Sequence, residues 1–220
     1  MEYADVVAAL HGTGMVARGA FVATADDVVL AQADGAATHT VVVIGNIGGE
    51  MWPLFRAAEQ PVDDPLDAWT RSLLGPIAAG LGARFVHPSD EPFQPFQRWA
   101  QRAEGIGPSP IGLLIHPEYG LWHAYRGAFL FPHPLERMPS PIGTPSPCVT
   151  CDGQPCLTTC PVDAFTVGHY DADACRGHVR SGHDPQCLDD GCAARRACPV
   201  GVHFRYGPDQ MRFHMRAFAG

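Results

Sequence analysis

Apolar residues occur in short blocks separated by glycine, proline and aspartate, and the period changes from block to block. Val41–Gly45, within HTVVVIGNIGG, is a β-branched run closed by glycines and predicts a buried strand. Glu50–Gln60 and Asp64–Leu81 carry helical spacing, and Asp64-Pro65 offers the second of them a cap and a first-turn proline. Ala83–His87 predicts another short strand and Phe96–Glu104 a helix. Gly112–His116 and Leu121–Phe131 read as two strands joined by the turn Pro117-Glu118-Tyr119-Gly120. In Asp209–Phe218, Met211, Met215 and Phe218 repeat at three and four residues, a helix that packs on the body of the protein. Strands alternating with helices favour a layered α/β or α+β sheet domain.

The pattern changes near residue 145. Residues 1–146 hold no cysteine, whereas all eight lie between Cys148 and Cys198. Pro132, Pro134, Pro139, Pro141, Pro145 and Pro147 forbid helix across the boundary and suit an extended linker. The expected domains are therefore 1–146, 147–207 and a closing helix in 208–220. Hydrophobic residues make up 46% of the 220-residue chain, enough for a real core. A net charge of −8, with no basic stripe, argues against nucleic acid as the partner. Glu2 and Asp5 stand where an export signal carries basic residues, and no apolar stretch is long enough for a membrane span. The expectation is a cytoplasmic protein with neither a membrane nor a nucleic-acid partner.

In a reducing compartment, thiols clustered in sequence favour metal ligation over disulfides. The first block, CVTCDGQPCLTTCP, has the form C-x2-C-x4-C-x3-C-P; Cys175 stands alone; CLDDGCAARRACP has the form C-x4-C-x5-C-P. Cubane iron–sulfur clusters need four thiolates from different directions, which a short loop plus a distant cysteine supplies. In bacterial-type two-cluster proteins the cysteine before proline ligates the other cluster. Applied here, that crossing gives one [4Fe–4S] set of Cys148, Cys151, Cys156 and Cys198, and a second of Cys160, Cys175, Cys187 and Cys192. The count closes with none left over. The competing readings are a single cluster with the second block left as free thiols, structural zinc, and disulfides. Zinc favours two separated C-x2-C knuckles, which the blocks do not supply. Arg176, Arg180, Arg195 and Arg196 lie among the ligands, where they could offset cluster charge or simply be solvated.

Ile111–Phe131, IGLLIHPEYGLWHAYRGAFLF, resembles the signature of the CblC family of cobalamin-processing chaperones through Gly112, Ile115, His116, Pro117, Gly120, Trp122, Arg126 and Gly127. VVVIGNIGGEMWPLFRA and the Asp64-Pro65 helix start follow the same register, so the likeness spans residues 40–131. The cysteine order resembles epoxyqueuosine reductase, which joins a CblC-like domain to a two-cluster ferredoxin module, a pairing also used by reductive dehalogenases. The gaps here are wider, and no basic helical repeats for tRNA follow. The resemblance implies an α+β protein: a flavin-reductase/nitroreductase-like sheet domain of CblC type, then a small ferredoxin-like iron–sulfur module.

That likeness implies two [4Fe–4S] clusters, cobalamin as ligand or substrate, an electron donor that the sequence does not name, and room for a flavin. The implied activity is an oxidoreductase one, a cobalamin reductase or decyanase that removes the upper ligand with electrons from its own clusters. A ferredoxin-like carrier without catalysis of its own, or a cobalamin-dependent reductase of an organic substrate, are the alternatives. The family's cobalamin contacts fall at Leu114 and Tyr125, and its glutathione-binding arginine at Arg126. Arg126, among apolar neighbours, wants an anionic partner, either an acid of the fold or a ligand carboxylate. Trp122 and Tyr125 could wall a macrocycle or pack in the sheet. His116 reads as a structural histidine of the proline turn, with a cobalamin or cobalt contact as the alternative. Gly45, Gly48 and Gly49 fit a tight turn better than a phosphate loop. His203 and His214 lack ligand spacing.

Overall fold

The computed structural model describes residues 1–182 and 185–220. The chain divides into two compact units, Met1–Ile106 with His123–Gly143, and Gly107–Trp122 with Thr144–Gly220. The first unit opens with α1 (Tyr3–Ala9) and β1 (Val16–Val22), followed by β2 (Thr40–Ile47), α2 (Trp52–Ala58), α3 (Pro65–Gly80), β3 (Arg84–Val86) and α4 (Phe96–Glu104). The chain then passes to the other unit for β4 (Gly107–Pro108) and β5 (Leu114–Ile115), and returns as β6 (His123–Phe131). Strands β1, β2, β6 and β3, in that order, form one antiparallel sheet.

Burial explains the unbroken apolar run of β2. Val41 and Val43 join Phe21, Val86, Phe96, Trp99, Ala103, Ala128 and Leu130 in one core. Val42 and Ile44 point the other way and are equally inaccessible, so both faces of the strand are covered. Helix α4 packs on β1 and β2, and α3 packs on β3 and β6. Phe96, Trp99, Ala100 and Ala103 give α4 its buried stripe, and the Trp99 indole donates to the Asp27 carbonyl at 2.9 Å. Register shifts at Ala17/Ala20 and Ile44/Gly45 kink the sheet. At Gly45 a Cβ would stand 2.1 Å from the Ala124 carbonyl oxygen, so the second bulge requires glycine.

The second unit contains α5 (Pro155–Thr158), the ribbon β7 (Phe165–Thr166) with β8 (His169–Tyr170), α6 (Ala172–Ser181), α7 (Pro185–Asp189), α8 (Ala193–Arg196) and α9 (Pro208–Ala219). Residues 132–146 are free of helix and strand, as their prolines predict. Among the described residues no helix is long and apolar enough to cross a membrane.

Two local expectations are corrected. Asp64 precedes α3 but makes no side-chain cap; it adopts φ 49°, and its carbonyl accepts from the Asp67 and Ala68 amides. The expected long hairpin over 112–131 does not form. β5 is two residues long and pairs with β4, only a His116–Gly120 bridge closes the turn, and β6 pairs with β2 and β3. Trp122 belongs to one unit and His123 to the other, so the apolar alternation runs straight through a change of unit. The boundary expected at 146/147 lies close to the Gly143/Thr144 division but does not capture the transfer of 107–122 to the cysteine-bearing unit.

Candidate iron–sulfur centre and sheet-domain polar cluster

Four short helices carry or flank most of the thiols, six of which meet in one core while Cys187 lies in a second with Val179 and Ala219. Cys156 lies in α5, Cys175 in α6 and Cys187 in α7, while Cys192 precedes and Cys198 follows α8. Cys156, Cys160 and Cys198 are buried with Ile111, Ile115, Leu121, Ala164, Phe165 and Ala194, and Cys148, Cys175 and Cys192 border the same core. Cys148, Cys151, Cys156 and Cys198 line a single pocket, closed by Ile115, Leu121 and the prolines Pro147, Pro155 and Pro199. These four are the expected first set. All eight cysteines are free thiols.

Burial and mutual repulsion raise several of the thiols. Burial pushes the Cys156 thiol up, and Cys148, Cys198 and Cys151 push it further. Burial likewise raises Cys198, with Cys148 and Cys151 adding to the effect against the Val200 amide. Cys192 is raised by burial, then by Cys175 and Cys187, against amides of Arg195 and Ala194. Each of these three thiols thus feels at least two neighbouring thiols. Cys160 accepts from the Ala164 amide at 3.4 Å and shares the apolar core with Cys175 and Cys192.

A group that accepts four thiolates would relieve this repulsion, and backbone N–H donors already aim at the sulfurs, a feature of cluster sites. Trp122 Nε1, Arg196 Nε and both polar side-chain atoms of Gln210 are buried without a hydrogen-bond partner among the described residues. Among the described residues no three candidate ligands converge to hold a metal ion. An all-thiolate donor set of this kind suits iron–sulfur clusters or zinc.

Gly120 and Gly201 explain why 107–122 belongs with the cysteines. A Cβ on Gly120 would lie 2.1 Å from the Val200 carbonyl oxygen, and one on Gly201 would lie 2.2 Å from the Tyr119 carbonyl carbon. The two backbones touch, seating the His-Pro turn against the segment that follows Cys198. His116 takes the structural role: its ring stacks on Tyr119 with centroids 3.5 Å apart, and Nδ1 accepts from the Glu118 amide at 3.1 Å. Gly120→Ala, strained at φ 57° and blocked by backbone, is expected to destabilise the unit by about 2–4 kcal/mol and to reduce iron loading. Thermal unfolding and iron analysis of the variant check this.

Three of the four arginines expected to offset cluster charge, Arg176, Arg180 and Arg195, have other partners. Arg195 donates to the Leu121 carbonyl and lies 4.6 Å from the ring centroids of both Trp122 and Tyr206. Trp122 is therefore packed in the cysteine unit instead of the sheet. Arg176 and Arg180 donate to the Phe218 and Ala219 carbonyls and hold the C-terminal end of α9. In α9, Met215 packs beside Val179 and Cys187, and Met211 closes on Gly191 of the ligand loop.

The sheet unit holds a second polar cluster. Arg18 of β1, 3% exposed, forms a two-pronged ion pair with Glu104, its Nη2 lying 2.8 Å from Oε2. Arg18 also meets His123 Nδ1 at 3.2 Å. The Tyr125 hydroxyl donates to Glu104 at 2.8 Å, and Arg126 donates to the Asn46 side chain at 3.1 Å. Burial raises the Glu104 carboxyl above its ordinary value despite Arg18 and Tyr125. Arg126 thus has an amide partner, and the acid of this region pairs with Arg18. Tyr125 and Arg126 share β6, whereas Leu114 lies in the cysteine unit. Arg18, Asn46, Glu104 and His123 escaped the sequence reading; an arginine within the apolar strand VARGAFV was the available signal. Gly48 adopts φ 54° and its carbonyl accepts from Asn46, as a tight turn requires.

No family model and no curated protein matches the chain. Solved structures do. It is similar to a C. elegans B12-trafficking protein, CblC, a human MMACHC homologue, at 16% identity and TM-score 0.55, over 98% of this chain and 91% of that one. It also matches epoxyqueuosine reductase with an epoxyqueuosine-modified tRNA-Tyr stem loop (14% identity, TM-score 0.48, 77% of this chain and 50% of that one). The Bacillus subtilis epoxyqueuosine reductase matches at 15% identity and TM-score 0.49, over 76% and 50%. The chain spans about half the length of those reductases. The protein has a mixed α+β fold similar to that of CblC.

Proposed function

We propose that this chain is an iron–sulfur redox protein that acts on cobalamin. Cys148, Cys151, Cys156 and Cys198 hold one [4Fe–4S] cluster, and Cys160, Cys175, Cys187 and Cys192 hold a second. The observation that carries the reading is the lining of one pocket by the four thiols of the first set, drawn from both ends of the cysteine region. Bound clusters supply single electrons at low potential, and cobalamin is the substrate whose cobalt takes them up as its upper ligand leaves. The thiolates fix the donor, the apolar residues around them exclude water, and the amides at Cys160, Cys192 and Cys198 tune its potential. On the sheet unit, the Tyr125 hydroxyl and Arg126 guanidinium, bonded here to Glu104 and Asn46, would exchange those partners for the amide and phosphate groups of a corrinoid.

The test is optical. Cyanocobalamin is mixed anaerobically with cluster-replete protein that has been reduced and freed of its reductant and, separately, with iron-stripped protein treated the same way. Loss of the cyano spectrum with the replete protein alone is expected. Cluster-replete protein that neither binds nor changes cyanocobalamin would overturn the cobalamin reading and leave an electron carrier.

A further inference from the structure

The first cysteine set opens onto a groove of about 600 Å³ in its own unit. Cys148 forms part of the wall, together with Ile111, Val149, Val167 and Tyr170. Val149 is 77% exposed and Val167 82%, so the groove has an apolar lip that nothing in its own unit covers. The surrounding charge is mostly negative. Between Arg137 and Arg176 the chain has no lysine or arginine, while Asp152, Asp163 and Asp171 are exposed; Asp173 is paired with Arg176 at 3.5 Å. A [4Fe–4S] cluster on four thiolates adds about two more negative charges.

We infer that this groove is the electron-entry port, the docking site for a one-electron carrier protein whose redox centre sits behind an apolar tip ringed by Lys and Arg. Three properties of the groove select that partner. A cluster ligand in the wall shortens the path for an electron. The valine lip gives apolar area that desolvates on contact. The aspartates attract a basic rim and repel an acidic carrier, which governs encounter rate more than affinity. The step balances simply: the carrier loses one electron, the cluster held by Cys148, Cys151, Cys156 and Cys198 gains it, and no bond is made or broken. This inference rests on the cluster reading of the cysteines.

The probe is mitochondrial ferricytochrome c, a basic one-electron protein, mixed anaerobically with the full chain after dithionite reduction and removal of the dithionite; it runs the transfer in reverse across the same docking face and is followed by the haem absorbance. Iron and sulfide are measured in every sample. The rate is expected to fall as salt rises, and Val167→Lys, which places a like charge on the lip, is expected to slow it about tenfold. Asp34→Lys, an exposed change of equal sign in the sheet unit, serves as the control and is expected to slow it far less. Equal rates in the two variants, or a wild-type rate that climbs with salt, would overturn the docking site. A chain without iron and sulfide would instead refute the cluster reading beneath it.

Discussion

Cys156→Ser is expected to lower iron and acid-labile sulfide from about eight of each per chain to about four, because two four-iron clusters become one. Cys187→Ser is expected to give the same stoichiometry by losing the other cluster. The distinction lies in the combination. If Cys148, Cys151, Cys156 and Cys198 serve one cluster, adding Cys198→Ser to Cys156→Ser removes no further iron. Adding Cys187→Ser removes the rest. The geometry motivates that pattern: Cys198 lines the same pocket as Cys156, and Cys187 does not. Serine keeps the size of the side chain, but its hydroxyl is a far poorer ligand for iron than a thiolate. Iron analysis and anaerobic electron paramagnetic resonance of the four proteins decide it. Full loss from Cys156→Ser together with Cys198→Ser, or zinc without sulfide in the unaltered chain, would break the assignment.

How much of this was legible in the residues depended on range. Short elements with a clear period, such as β2, α4 and α9, were readable because burial on one or both faces writes itself into local spacing. The two proposed cysteine sets rest on the Cys-Pro endings, which suggest which loop crosses to the other cluster. What the sequence could not show was the change of unit at Trp122/His123. Both residues are buried, so the apolar alternation continues unbroken, yet Trp122 packs with Tyr206 while His123 meets Arg18. The glycines told part of the story. Gly120 fitted a turn signature, but its reason lies in the carbonyl of Val200, eighty residues downstream, which no local pattern records. Tertiary contact decided that position.

Arg18 and Glu104 illustrate the same limit, and they set the largest expected effect on stability. One sits in a strand, the other at the end of a helix 86 residues away, and both are buried. Arg18→Met removes one half of the pair and is expected to cost about 3–5 kcal/mol, because Glu104 is left without its counter-charge. Tyr125 still donates to Glu104, so part of the carboxylate remains satisfied. Glu104→Gln in the Arg18→Met background removes the surviving charge and is expected to recover stability, a coupling that a double-mutant cycle measures. The pH dependence gives an independent check. Burial holds the folded Glu104 carboxyl above its ordinary value, so its protonated form is favoured by folding. That contribution is full below the unfolded value and is lost as pH rises through the folded one. Without Arg18 the folded value climbs further, so the deficit of Arg18→Met is expected to widen between pH 5 and pH 8 (about 4.3 being the unfolded reference). Denaturant titrations at the two pH values measure it, and a deficit that stays constant or shrinks would show that Glu104 is not the group left uncompensated.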